Sequence, residues 1–242
     1  MIRKLTTIIF VLIAAVASYG RPAAKTDART SVGAPDLSRI RTATTDVSSE
    51  FYYPSLVRKF QANDTLMTPE EFQYLYYGTL FQPGYDPYRK DPNPTLLNEL
   101  RPIYAKEKRT RADRLKMLDY AEQVLRENPV DLRQLTNRIY VYEQNGKYDL
   151  AKIWQYKLNH LLLVIAASGN GNSPGTAWTV VYPQHEYDFL NISGITVREQ
   201  EFVEPHYDHL RGVRRNKSEI ENFYFNVGEM LRQYFLSHPD EK

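Results

Sequence analysis

Cysteine is absent from all 242 residues, which excludes disulfides, thiolate metal sites, a cysteine nucleophile and a lipidated amino-terminal cysteine. A strong charge of either sign is absent too. The formal charge of +2 equals the contribution of Arg3 and Lys4, so the rest of the chain is balanced, which argues against nucleic acid as a partner. Long apolar runs are also missing. The best, residues 8–16, has about half of the roughly 20 residues that cross a bilayer, and residues 161–167 come next, so no transmembrane segment is expected.

The run at residues 8–16 follows Arg3 and Lys4 and leads into small residues at Ala15, Ala17 and Gly20. A charged head, apolar middle and small-residue exit make a secretory signal over residues 1–20, so export to the periplasm, cell surface or medium is expected. Residues 21–35 hold Ala, Thr, Ser and Pro with almost no large apolar groups, the composition of a flexible tether. The roughly 220 residues left after the signal can bury one good core. The chain's 19 Tyr and 10 Phe suit either that core or a binding surface.

Residues 36–168 carry helical marks. Thr68, Pro69 and Glu71 have the spacing of a capping box with proline in the first turn, opening a helix through Phe72, Leu75 and Tyr76 that ends near Gly78. Residues 82–94 are crowded with proline and fit no regular element. Thr110 with Asp113 opens a second capped helix whose Leu115, Leu118, Ala121 and Leu125 share a face, stopping at Asn128 and Pro129. Leu132, Leu135, Ile139 and Tyr142, a left-handed stop at Gly146, then Tyr148, Ala151, Trp154, Leu158 and Leu161 describe a helical hairpin.

After Gly169, expected to stop the preceding helix, the pattern becomes strand-like. Residues 176–182, 186–192, 194–203 and 222–227 are rich in β-branched and aromatic residues, punctuated by Pro183, Gly194, Pro205 and Gly212. Residues 169–242 are therefore expected to form an antiparallel sheet closed by a helix from Gly228 through Phe235, in one continuous domain with the helices. The fold class is α+β: amino-terminal helical hairpins packed with a carboxy-terminal antiparallel sheet.

Two resemblances bear on this reading. Around the hairpin turn, Gly146, Tyr148 and Ala151, with Tyr142 upstream and Pro129 as closing proline, resemble a tetratricopeptide unit, although Ile139 stands where a small residue is expected. That likeness implies a scaffold that binds proteins. The motifs FYYP at residues 51–54, NDT at 63–65, LYYG at 75–78, SGNGNSPGTAW at 168–178, EYD at 186–188 and YFNV at 224–227 together resemble a domain-of-unknown-function family of exported Bacteroidetes proteins, over residues 36–236. This second likeness implies location and unity of fold, with no assigned activity. Asp64, Thr65 and Leu66 also resemble a bacterial O-glycosylation acceptor, which implies an exposed turn at Thr65.

Several residue groups could carry chemistry. Tyr74, Tyr76, Tyr77, Tyr85 and Tyr88 surround the proline loop and suit recognition of a sugar or peptide, or else pack the core and pin the loop. His185, Glu186 and Asp188, read at a strand start, form an acid-base set or a hydrogen-bonded strand end. Glu204, His206, Asp208 and His209 hold metal-ligand chemistry, but the two histidines are three apart in a segment read as a loop, against the four that a helical zinc site uses. The Gly/Ser segment 168–175 lacks the lysine of a phosphate-binding loop, and the basic run Arg211, Arg214, Arg215 and Lys217 reads as a solvated turn. No cofactor is expected.

Nothing assembles a nucleophile, base and orienter. The preferred expectation is a non-catalytic exported binding or structural module for a protein, peptide or glycan; the alternative is a periplasmic hydrolase of envelope or dietary polymer using Glu186 and Asp188 as paired carboxylates.

Overall fold

A computed structural model describes residues 33–241. The expected signal and the tether before Gly33 lie outside this range. The helical region opens with α1 (Leu37–Thr45), whose Asp36 side chain accepts from the Arg39 amide at 3.0 Å. Then come α2 (Tyr53–Gln61) and α3 (Pro69–Gly78), the latter closed by the reciprocal Thr68–Glu71 capping box. After the proline loop, Asn93 caps α4 (Pro94–Tyr104), and Thr110 and Asp113 form the second capping box at α5 (Arg111–Glu127). Caps of this kind contribute about 1 kcal/mol each by satisfying amides that the first helical turn leaves without partners.

Asp131 caps α6 (Leu132–Gln144), and Gly146, at φ +70°, turns the chain into α7 (Tyr148–Ala166). The hairpin is as expected, but two side chains placed on inward faces point out. Leu115 of α5 is 54% exposed and Tyr148 of α7 is 63% exposed. Ala121 and Leu125 of the expected α5 stripe are buried and Leu118 packs against the core, and Met117, Tyr120 and Val124 widen that inward face.

The sheet has the order β1 (Trp178–Thr179), β4 (Ile220–Asn226), β3 (Tyr207–Arg214), β2 (Ile195–Val203). β2, β3 and β4 are antiparallel, as expected, while the two-residue β1 pairs parallel to β4, making the sheet mixed. A final helix, α9 (Gly228–Ser237), follows. One buried apolar cluster runs from Ile40 in α1 through Tyr76, Leu161 and Phe225 to Met230 in α9, so helices and sheet share an interior.

Three expectations in this half are corrected. Residues 186–192 are not a strand but most of helix α8 (Pro183–Ile192): Pro183 opens its first turn, and burial of His185, Glu186, Phe189 and Leu190 covers much of its circumference, so no single-stripe helical pattern is visible. The segment after Pro205 is not a loop but β3, with Gly212 inside it. A Cβ on Gly212 would lie 2.7 Å from Ile195 Cγ2, so this glycine serves a close strand approach rather than a turn. Helix α7 ends at Ala166, short of Gly169, where the chain passes the Thr176 and Ala177 carbonyls.

That approach generates a test. A Cβ on Gly169 would lie 2.3 Å from the Thr176 carbonyl oxygen, whereas one on Gly175 meets nothing within 4 Å. Gly169→Ala is expected to cost about 2–3 kcal/mol in urea unfolding and Gly175→Ala under about 0.5 kcal/mol. Equal midpoints for the two variants would contradict the close packing described.

Candidate functional site

Helix α8 places three polar side chains in the interior. His185 is fully buried; its Nδ1 shares a 2.9 Å hydrogen bond with the Tyr76 hydroxyl, and its Nε2 has no partner. Burial, helped by the Arg133 charge, holds its pKa down to about 3, so the ring is neutral. Glu186 is equally buried and both its oxygens lack hydrogen-bond partners. Burial and then the Asp208 charge push its pKa well above the usual carboxylate range, so it is held as the neutral acid.

Asp188 takes a different solution. Arg133 of α6 donates to its Oδ1 at 2.9 Å, while burial pushes the carboxyl up to about 6 against the pull of that guanidinium. Glu186 and Asp188, two positions apart, lie about 200° around the helix from each other, so they do not face a common substrate position. The neutral imidazole is engaged by a core tyrosine rather than by either carboxylate.

The proposed metal-ligand group does not converge. Asp208 and His209 are neighbours on β3 and so face opposite sides of the sheet. His209 is held by Glu201 at 2.7 Å and Asn222 at 2.9 Å and stacks on Tyr224. Glu204 is exposed in the β2–β3 turn, and His206 lies against Tyr207. Among the described residues no group of three His, Cys, Asp or Glu side chains could hold a metal.

The tyrosines divide. Tyr74, Tyr76 and Tyr77 are core residues, Tyr74 stacking on Phe51 at 4.1 Å and Tyr77 donating to the Thr179 carbonyl at 3.2 Å. Tyr85 pins the proline loop by donating to the Val181 carbonyl and packing on Tyr182. Only Tyr88, 54% exposed and edge-on to Tyr234, remains at the surface. The basic run is also divided: Arg211 pairs with Glu199, Arg214 and the turn residue Lys217 pair with Glu221, and Arg215 lies in the turn.

The other side of the same loop forms a cleft of about 480 Å³ that the sequence reading missed. Pro87, Asp91 and Pro92 form one wall; Tyr104 of α4 supplies aromatic surface, and Tyr120 of α5, 3% exposed, borders it; Arg133, Gln134 and Asn137 of α6 form the opposite wall. Asn128, which ends α5, and Asp131, which starts α6, lie in its floor, 3% and 5% exposed. Asp131 is fully engaged, accepting from the Gln134 amide at 2.9 Å and the Gln184 side chain at 3.1 Å. Asn128 Oδ1 has no partner. The Asn-Pro-Val-Asp link between the two helices was legible as a helix boundary; nothing in it signalled that both polar side chains would share one hollow.

Against this geometry stand the comparisons. The family described as a domain of unknown function, DUF4919, matches residues 38–235. The chain belongs to the DUF4919 family. No curated protein and no solved structure matches it. In this DUF4919 fold the short motifs that prompted the resemblance are packing contacts. Tyr53 of FYYP bonds Thr79 at 3.0 Å, and Gly78 of LYYG leaves room for Thr44. Asn63 of NDT, at φ 60°, accepts from the buried Lys157 at 2.7 Å, and burial draws that lysine down to about 7. Trp178, closing the Gly/Ser segment, donates to the Gly169 carbonyl at 3.1 Å and covers Gly171.

The α8 assignments predict opposite pH effects. Between pH 6.5 and about 3 the unfolded chain takes up a proton that His185 refuses in the fold, so acidification across that window costs stability. Glu186 keeps a proton in the fold that the unfolded chain releases above pH 4.5, so rising pH costs stability. Relative to the unsubstituted protein, His185→Gln should gain as pH falls below 6.5, and Glu186→Gln should gain as pH rises above 4.5. Urea midpoints measured across pH check both; parallel curves would refute the assigned protonation states.

Proposed function

We propose that this protein is an exported, non-catalytic binding module that takes a glycan chain in the cleft between the proline loop and helices α4, α5 and α6. The observation that carries the reading is the unpartnered Asn128 Oδ1 in the cleft floor, 97% removed from solvent by its 3% exposure. A buried acceptor without a donor is costly, and a sugar hydroxyl supplies a donor of the right size. Tyr104, half-buried, adds a flat face for a pyranose ring, and the half-buried Asn137 amide adds a directional contact. The volume lies within the range of small-ligand sites.

Ligand binding to the native state alone raises the unfolding midpoint. An oligosaccharide at about 100 times its Kd should add about 2.7 kcal/mol, a shift of roughly 5–10 °C for a chain of this size. Asn128→Ala removes an oxygen that makes no bond in the free protein, so it should leave the free midpoint nearly unchanged while reducing the ligand shift. Glu186→Gln and Asp188→Asn should keep the ligand shift; loss of substrate cleavage in those variants would favour the hydrolase reading instead. A full shift in Asn128→Ala would reject the cleft as the site.

Export rests on the charged, apolar and small-residue order of residues 1–20. Amino-terminal sequencing of protein recovered from outside the cytoplasm should begin near residue 21. Intact Met1 on cytosolic protein would reject export.

A further inference from the structure

We infer that the glycan is anionic, and that its carboxylate or sulfate group meets Lys90 and Arg101 at the mouth of the cleft. This rests on the cleft being the glycan site. Four cationic side chains line the hollow, and they fall into two kinds. Arg89 is paired with Glu127, and Arg133 with Asp188. Lys90, on the proline loop, and Arg101, on α4, are exposed and form no ion pair among the described residues.

Neither acid in the lining forms an ion pair with Lys90 or Arg101 among the described residues. Asp91 accepts from the Asn93 amide at 2.8 Å and from the Tyr120 hydroxyl. Asp131 is committed to its helix cap and Gln184. The cleft is therefore ordered by depth. Its floor offers an unmet acceptor, and its mouth offers two cations outside any ion pair, one on the loop and one on α4. A neutral sugar would satisfy the floor and leave the mouth unused. An anionic sugar engages both, the ring against Tyr104 and the charged substituent outward, where the cost of stripping water from it is smallest.

Isothermal titration of the purified protein with four probes tests this: tetragalacturonate, a sulfated tetrasaccharide, neutral galactotetraose and tetraglutamate. At about 50 mM salt at least one anionic sugar should bind about tenfold more tightly than the neutral one, the gain expected from two exposed ion pairs, and the gap should shrink by about 300 mM. Whether carboxylate or sulfate binds better identifies the source of the charge. Lys90→Gln with Arg101→Gln should bring the anionic sugar down to the neutral sugar's affinity without moving the free protein's melting temperature. Equal affinity for galactotetraose and the anionic sugars overturns the anionic inference and leaves the glycan reading standing. Binding of tetraglutamate alone, or of no probe, overturns both.

Discussion

The burial of α8 between the helical region and the sheet is the constraint on which the rest of the molecule depends. Its His185, Glu186 and Asp188 are shut off from water, so each must be neutral or paired. His185 stays neutral and bonds Tyr76 of α3; Glu186 keeps its proton beside Asp208 of β3; Asp188 stays near Arg133 of α6. One ten-residue helix thereby contacts three separate parts of the chain through ionisable groups. The apolar cluster supplies the main stabilisation, and these polar contacts select which arrangement of the layers is allowed.

The same arrangement makes the cleft a firm one. Its far wall is α6, held by the Asp131 cap and, within the same first turn, by the Arg133 contact to α8. Its near wall is a loop whose prolines restrict the backbone and whose Tyr85 ties it to the Val181 carbonyl. A site walled this way loses little freedom when a ligand enters, which favours recognition by shape and placed polar groups over closure around the ligand. The tyrosines of this loop and the residues it lends to the cleft lie on different sides of it. Tyr85 and Tyr88 face the body and α9, and the cleft uses Asp91 and the prolines between them and α4.

Legibility followed the range of the forces involved. Both capping boxes, the Gly146 turn and the α6–α7 hairpin were readable because each depends on residues within four or five positions. The α8 error came from a helix buried on most sides, whose aromatic and β-branched residues look like those of a strand. The β3 error came from reading Pro205 and Gly212 as breaks, when Gly212 answers to the bulk of Ile195 on the adjacent strand. Of the site, the proline loop was visible; Asn128, Asp131 and Arg133 were not, since their roles arise from residues far away in the chain.

By itself, the sequence determined the thiol-free chemistry, the charge balance, the capped helices and the α+β class, because composition and short-range spacing act before the chain has a shape. Only the tertiary structure decided that α8 is a helix, that its acids are separated rather than paired, and that α4, α5, α6 and the loop enclose a hollow. Burial and long-range proximity are properties of the packed chain, and they set both the protonation of Glu186 and the unmet acceptor of Asn128.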